Sequence, residues 1–192
     1  VGTSSGGMAS AERFFAGLDG GAPVPPELAR AATYFAPLDD ALDRAGLSSL
    51  VHKRTQVLAA CAASAIALGL ALRWLDRGAC DVVIAGGYDA ISVFVAAGFE
   101  VLRATSASTP RPFRVGRDGM ALGEGAALVA LVREDDARGA PSIFRLDGFG
   151  ASTDAVHITA PDRTGGGLAR AATAALADAG LSAAAVGLVS AH

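Results

Sequence analysis

Lysine is almost missing from this chain of 192 residues: Lys53 stands alone, and every other cationic side chain is an arginine or one of three histidines. The net charge is -3 and no basic stripe is present, which argues against a nucleic-acid partner held through its phosphates. Cysteine is scarce as well. Cys61 and Cys80 offer neither a metal-type spacing nor a disulfide framework. His52, His157 and His192 are too scattered for a zinc motif of the HExxH kind, so no metal is expected. Long apolar runs are also lacking. The longest, from Ala59 to Leu72, is too short to span a bilayer, and no secretory leader is visible. A cytoplasmic protein that meets no membrane is the simplest reading. Charged residues reach only 18% against 52% hydrophobic, which excludes a disordered chain. The chain opens on Val1-Gly2 and closes on Val189-Ser190-Ala191-His192, both reading as the inside of elements, so an internal fragment is expected.

What is present is an alternation of helical and strand-like patterns. Val1 to Gly7 reads as a Gly/Ser-rich loop entry, and Met8 to Leu18 as a short helix. Pro26-Glu27 opens a helix with proline in its first turn. Leu38, Leu42 and Leu47 give another helical stripe, ended by Gly46. Thr55 to Ala59 reads as a buried strand. Ala62 to Arg77 reads as a helix buried on all sides, with Gly69 marking close packing on a neighbour. Asp81 to Ala85 is expected as a strand ending in a Gly86-Gly87 turn, Ser92 to Leu102 as a helix, and Gly125 to Val132 as a buried strand. Ser142 to Leu146 reads as a strand followed by a Gly148-Phe149-Gly150 turn. Gly167 to Ala179 reads as a helix stopped by Gly180, and Val186 to Ser190 as the last strand. The alternation predicts a layered α/β fold with a mixed sheet.

Cys61 sits where a strand-like segment runs into a long apolar helix, flanked by small residues. The positive end of a helix favours an anion, and small neighbours leave the sulfur accessible. That is the setting of a nucleophile for acyl transfer. Cys80, before a buried strand, reads as a small core residue. The loop Gly2-Thr3-Ser4-Ser5-Gly6-Gly7 lacks the GK[ST] ending of a phosphate cradle, with no lysine near it. Its glycines point instead to a backbone passing close to a substrate or another chain. His192 follows a predicted strand, at the end where α/β folds place chemistry. His157 reads as a solvated loop residue. Arg117-Asp118, beside Arg111 and Arg114, reads as a structural ion-pair cluster, and Glu124 as a packed, hydrogen-bonded carboxylate.

Six segments in order carry a resemblance: VGTSSGGM, AACAAS around Cys61, CDVVIAGGYDA, PRPFRVGRDGMALGEGAALVALV, GFGASTDAVHITAP and GLVSAH. Together they resemble a β-ketoacyl–acyl-carrier-protein synthase of fatty-acid or polyketide elongation. The resemblance implies a thiolase-like fold, layered α/β/α with mixed sheets and incomplete in this chain. Residues 1–132 would be the N-terminal half without its first strands, and residues 133–192 the start of the C-terminal half. Cys61 matches the acyl-accepting nucleophile and His192 the first of two catalytic histidines. Ser5 and Phe99 match walls of the acyl pocket, and Ser152 and Thr153 the pantetheine entrance. No cofactor is implied. The implied partners are an acyl carrier protein and a second copy of the chain, the strand from Thr55 to Ala59 pairing across the two-fold axis. The family's TAC is here Ala59-Ala60-Cys61, without the hydroxyl. The family's second histidine and gating loop do not occur in the sequence, so this chain alone is expected to be inactive. A thiolase acting on coenzyme A thioesters shares the fold but not the RPFRVGRDGMALGEGA block. A non-catalytic partner subunit would lack the cysteine.

Overall fold

The structure is a computed structural model that describes every residue except Ala22, Arg138, Ala140, Ile158, Thr159 and His192. The chain divides into two units, Val1–Ala67 with Ala85–Val129, and Leu68–Ile84 with Ala130–His192. Its strands are β1 (Gly2–Thr3), β2 (Val57–Leu58), β3 (Val82–Asp89) and β4 (Gly125–Val132). Its helices are α1 (Met8–Asp19), α2 (Pro26–Ala31), α3 (Ala36–Arg44), α4 (Ala63–Asp76), α5 (Val93–Val101) and α6 (Gly166–Asp178). The strands form one sheet in the order β2-β1-β3-β4. β1 runs parallel to both neighbours, with Gly2 opposite Val57 and Gly87, and Thr3 opposite Leu58.

The loop expected from Val1 to Gly7 therefore contains a strand interior to the sheet. Its glycine is there because the backbone passes against the head of α4: a Cβ on Gly2 would lie 2.2 Å from the Ala63 carbonyl carbon. The close approach read from the glycines is present, and the neighbour is the chain itself. The Gly86-Gly87 turn is likewise not a turn, since β3 continues through it to Asp89. Gly86 has φ +145°, and a Cβ there would meet the Ala127 carbonyl oxygen at 2.1 Å. β3 alternates, burying Val83 and Ala85 and exposing Val82 and Ile84, as a sheet covered on one face does.

Within the first unit, α1 packs on α2 and α5, and α2 on α3. Ser92 caps α5, its hydroxyl accepting from the Val95 N–H at 3.2 Å. Glu124 accepts from the Ile91 N–H at 3.2 Å, hydrogen-bonded as expected but exposed rather than packed. The expected strand from Thr55 to Ala59 shortens to two residues at the sheet edge, with Leu58 exposed. β4 is mostly exposed where a buried strand was expected.

In the second unit, Gly69 packs where expected: a Cβ there would fall 2.4 Å from the Phe149 ring. The Gly148-Phe149-Gly150 segment also lies flat on α6, where a Cβ on Gly150 would come 2.1 Å from the Ala171 carbonyl oxygen. Asp178 secures this, pairing with Arg73 at 2.6 Å and accepting from the Phe149 N–H at 2.8 Å. The Arg73 guanidinium, then the Phe149 amide, hold the Asp178 carboxyl below its ordinary range. Arg133 ties Asp81 and Asp136 at 2.7 and 2.6 Å and donates to the Cys80 carbonyl at 3.0 Å.

α4 buries the stripe Ala63, Ala67, Ala71 and Leu75 and, on another face, Gly69, but leaves Ser64 and Ala65 exposed, so it is not buried on all sides. An all-apolar sequence states that a helix tolerates burial, not which atoms cover it. Neither Ser142–Leu146 nor Val186–Ser190 is a strand. Among the described residues no ladder partner runs beside either, and extended backbone without one is not a strand.

Candidate functional site

Cys61 lies on a 3-10 turn, Ala60–Ala62, between β2 and α4, and its side chain is exposed. The chain leaves β2 at Leu58 and reverses through Ala60, which has φ +46°. Such a conformation on a residue with a Cβ costs on the order of 1–3 kcal/mol and persists only where its surroundings hold it. A strand, a tight strained turn and a helix in succession lift the residue at the turn clear of the sheet, the geometry that presents a nucleophile in an elbow. Small side chains at Ala59, Ala60, Ala62 and Ala63 make the turn sterically possible. The positive φ had no sequence signal, because alanine does not favour it.

The turn rests on β1. A Cβ on Gly2 would lie 2.4 Å from the Ser64 nitrogen, and one on Gly87 would lie 1.8 Å from the Ser64 Oγ. Beyond β1 the chain folds over Asp89 at the end of β3, a residue that sequence reading missed. Asp89 Oδ1 accepts from the Thr3 hydroxyl and the Ser4 and Ser5 N–H groups, each at 2.9 Å, and from the Ser5 hydroxyl at 3.0 Å. Its Oδ2 accepts from the Ser4 hydroxyl at 2.7 Å. Burial pushes the Asp89 carboxyl up, but the hydrogen bonds from Ser4, Ser5 and Thr3 outweigh it and hold the group below its ordinary value. Gln56, just before β2, donates to the Tyr88 hydroxyl at 3.3 Å and to the Tyr34 carbonyl.

Ser5 is 6% exposed, with its hydroxyl committed to Asp89. Phe99 is half-buried on α5, whose N-terminus is fixed by Ser92 and by Glu12 accepting from the Phe94 N–H. Cys61, Ser5 and Phe99 thus belong to the first unit. Ser152 and Thr153 share the loop before α6 in the second. The Ser152 hydroxyl donates to the Gly167 carbonyl at 2.5 Å, and the Thr153 carbonyl accepts from Arg170 at 3.0 Å. His192 lies outside the described residues.

The arginine loop is not the ion-pair cluster expected. Arg111 donates to the Gly116 carbonyl and Arg117 to the Arg114 carbonyl, while Asp118 accepts from the Ser106 hydroxyl at 2.7 Å. That hydroxyl is the main cause of a lowered Asp118 carboxyl, with Arg111 adding to it. The His157 loop residue is exposed, with Nδ1 accepting from the Ala160 N–H. Among the described residues no cluster of His, Cys, Asp or Glu could hold a metal ion, and no helix is long and apolar enough to cross a membrane.

Comparison with known proteins bears on this geometry. The family described as Beta-ketoacyl synthase, N-terminal domain, matches residues 53–137, and Beta-ketoacyl synthase, C-terminal domain, matches residues 143–192. The 3-oxoacyl-[acyl-carrier-protein] synthase 2 of Staphylococcus aureus is 39% identical over 141 residues, 69% of this chain and 35% of that protein. The solved ishigamide ketosynthase/chain length factor superposes with a TM-score of 0.84 at 34% identity, covering 95% of this chain and 45% of that one. A β-ketoacyl synthase from Burkholderia phymatum STM815 gives 0.82 at 31% identity, covering 96% and 47%. The chain spans about a third of the length of the curated relatives it matches.

Proposed function

The chain belongs to the β-ketoacyl synthase family and has its thiolase-like α/β fold, and we propose that the whole protein elongates a fatty-acid or polyketide chain by decarboxylative Claisen condensation. The observation that carries the proposal is Cys61, exposed on a strained turn at the head of α4 inside the segment that matches the family. In this reading the Cys61 sulfur attacks the carbonyl of an acyl thioester borne by an acyl carrier protein. The carrier thiol leaves with a proton, and the acyl group is now on Cys61. The Cys61 N–H supplies one donor to the oxyanion formed on the way. A malonyl carrier protein follows. Loss of carbon dioxide leaves an enolate, whose carbonyl oxygen His192 stabilises. Its carbon attacks the acyl-cysteine carbonyl, the C–S bond breaks, and Cys61 regains its thiol. A carrier-protein substrate agrees with the name of the Staphylococcus aureus relative.

Ser5 and Phe99 are read as walls of the acyl pocket, and Ser152 and Thr153 as the pantetheine entrance. Residues 1–132 and 133–192 are read as parts of the two halves of the fold. A homodimer is read through β2, which lies at the sheet edge with β1 on one side only. The reaction is placed in the cytoplasm. The test is to incubate the protein with hexanoyl-loaded acyl carrier protein and map the adduct by mass spectrometry. A hexanoyl group on Cys61, absent in Cys61→Ala, and a β-ketoacyl product after addition of malonyl carrier protein are expected. An adduct elsewhere, or only with coenzyme A thioesters, would refute the reading.

A further inference from the structure

Five donors from three consecutive residues, Thr3, Ser4 and Ser5, converge on the single carboxylate of Asp89. Thr3 is 1% and Ser5 6% exposed, so without Asp89 both buried hydroxyls would lose the carboxylate oxygen to which they donate. Thr3 also accepts from the Gly6 N–H at 2.9 Å, closing the loop on itself. The segment gathered in this way is the exit of β1, and β1 touches the Cys61 turn from both chain directions. Thr3 pairs with Leu58, three residues before Cys61. Gly2 lies against Ala63 and Ser64, the first residues of α4 after it. Asp89 itself ends the strand whose Gly87 packs on Ser64. Both flanks of the nucleophile turn therefore bear on a strand whose far end one carboxylate holds.

We infer that Asp89 is a positioning residue for the Cys61 sulfur, acting through Thr3 and β1. The inference rests on the reading of Cys61 as acyl acceptor and goes beyond it by naming what keeps the strained turn in register. Its role is geometric, since a negative charge does nothing to favour a thiolate. A displacement near 1 Å at a reacting atom costs on the order of 100-fold in rate.

The experiment compares wild type, Asp89→Ala, Asp89→Asn and Thr3→Val, with the hexanoyl thioester of N-acetylcysteamine as acyl donor. Acylation of Cys61 is followed by mass spectrometry, and alkylation of Cys80 by iodoacetamide serves as an internal gauge of general loosening. Acylation in Asp89→Ala should fall roughly 10- to 100-fold with Cys80 labelling unchanged. Asp89→Asn, which keeps an acceptor oxygen for the four donors that Oδ1 takes, should recover most of the rate. Acylation of Asp89→Ala within twofold of wild type overturns the inference, as does a fall matched by faster Cys80 labelling. Should Asp89→Ala not fold, Thr3→Val decides: it keeps the side-chain shape, and an unchanged acylation rate overturns the inference. A wild type that takes no acyl group at Cys61 is a different result, the failure of the functional reading itself.

Discussion

Gly87→Ala should destabilise the protein, although alanine is ordinarily the better residue in a folded chain. Gly87 is not among the glycines with positive φ, so alanine can adopt its backbone conformation. Restricting the unfolded chain then favours the substitution by about 0.4–1 kcal/mol. Against this stands the space. The new Cβ would lie 1.8 Å from the Ser64 Oγ, 2.8 Å from the Ser64 Cβ and 2.8 Å from the Gly2 carbonyl oxygen. The hydroxyl can rotate away at little cost. The other two contacts belong to the backbone of β1 and the first turn of α4, and neither moves alone. Overpacking of this kind costs about 1–3 kcal/mol, so a net loss of about 1–2 kcal/mol is expected. Adding Ser64→Ala should restore only part of it, because the Cβ contact remains. Gly98→Ala is the control. Gly98 lies within α5, with nothing in the chain within 4 Å of an added Cβ, and relief of the helix penalty should stabilise by up to about 1 kcal/mol. Midpoints of urea denaturation read both. If the two substitutions shift stability in the same direction, the steric reasoning fails.

An electrophile such as iodoacetamide should modify exposed Cys61 before half-buried Cys80; peptide mapping that finds Cys80 modified first would remove the nucleophile assignment. Ser5→Phe should shorten the acyl chains accepted, because a ring is forced into a site only 6% exposed, at about 1–3 kcal/mol; an unchanged chain-length profile would show that Ser5 does not bound the pocket. The Asp89 carboxyl is held below its unfolded value of about 3.9, so its contribution is fully present above that pH and is lost as the pH falls through the lower folded value. Wild type should therefore lose stability more steeply below about pH 4 than Asp89→Asn, and identical acid-unfolding slopes would contradict this.

What the sequence disclosed and what it withheld divide along a physical line. Helices announce their own ends. Pro26 starts α2, Gly46 and Gly180 follow α3 and α6 with positive φ, and Ser92 caps α5, each signal local to the element. Strands do not, because a ladder needs a neighbour. Val186 to Ser190 has as good a strand composition as β3 and forms none, whereas Gly2–Thr3, two residues of loop-like composition, is a strand interior to the sheet. The site divides in the same way. Cys61 was legible because a thiol between a strand pattern and a helix pattern is a local arrangement. Asp89 was not, because its partners Thr3, Ser4 and Ser5 lie 84 to 86 positions away. Its chemical task is visible only where the chain returns to it. The glycines stand between these cases. Gly2, within the glycine loop, announced that something passes close, and only the fold could name it as the first turn of α4, just after Cys61; Gly87 read as part of a turn, and only the fold shows it packed on that same helix. The residues that form the Cys61 turn are thus local and small. Those that hold it in place are distant and polar, so substitutions at the second set test the site without touching the sulfur.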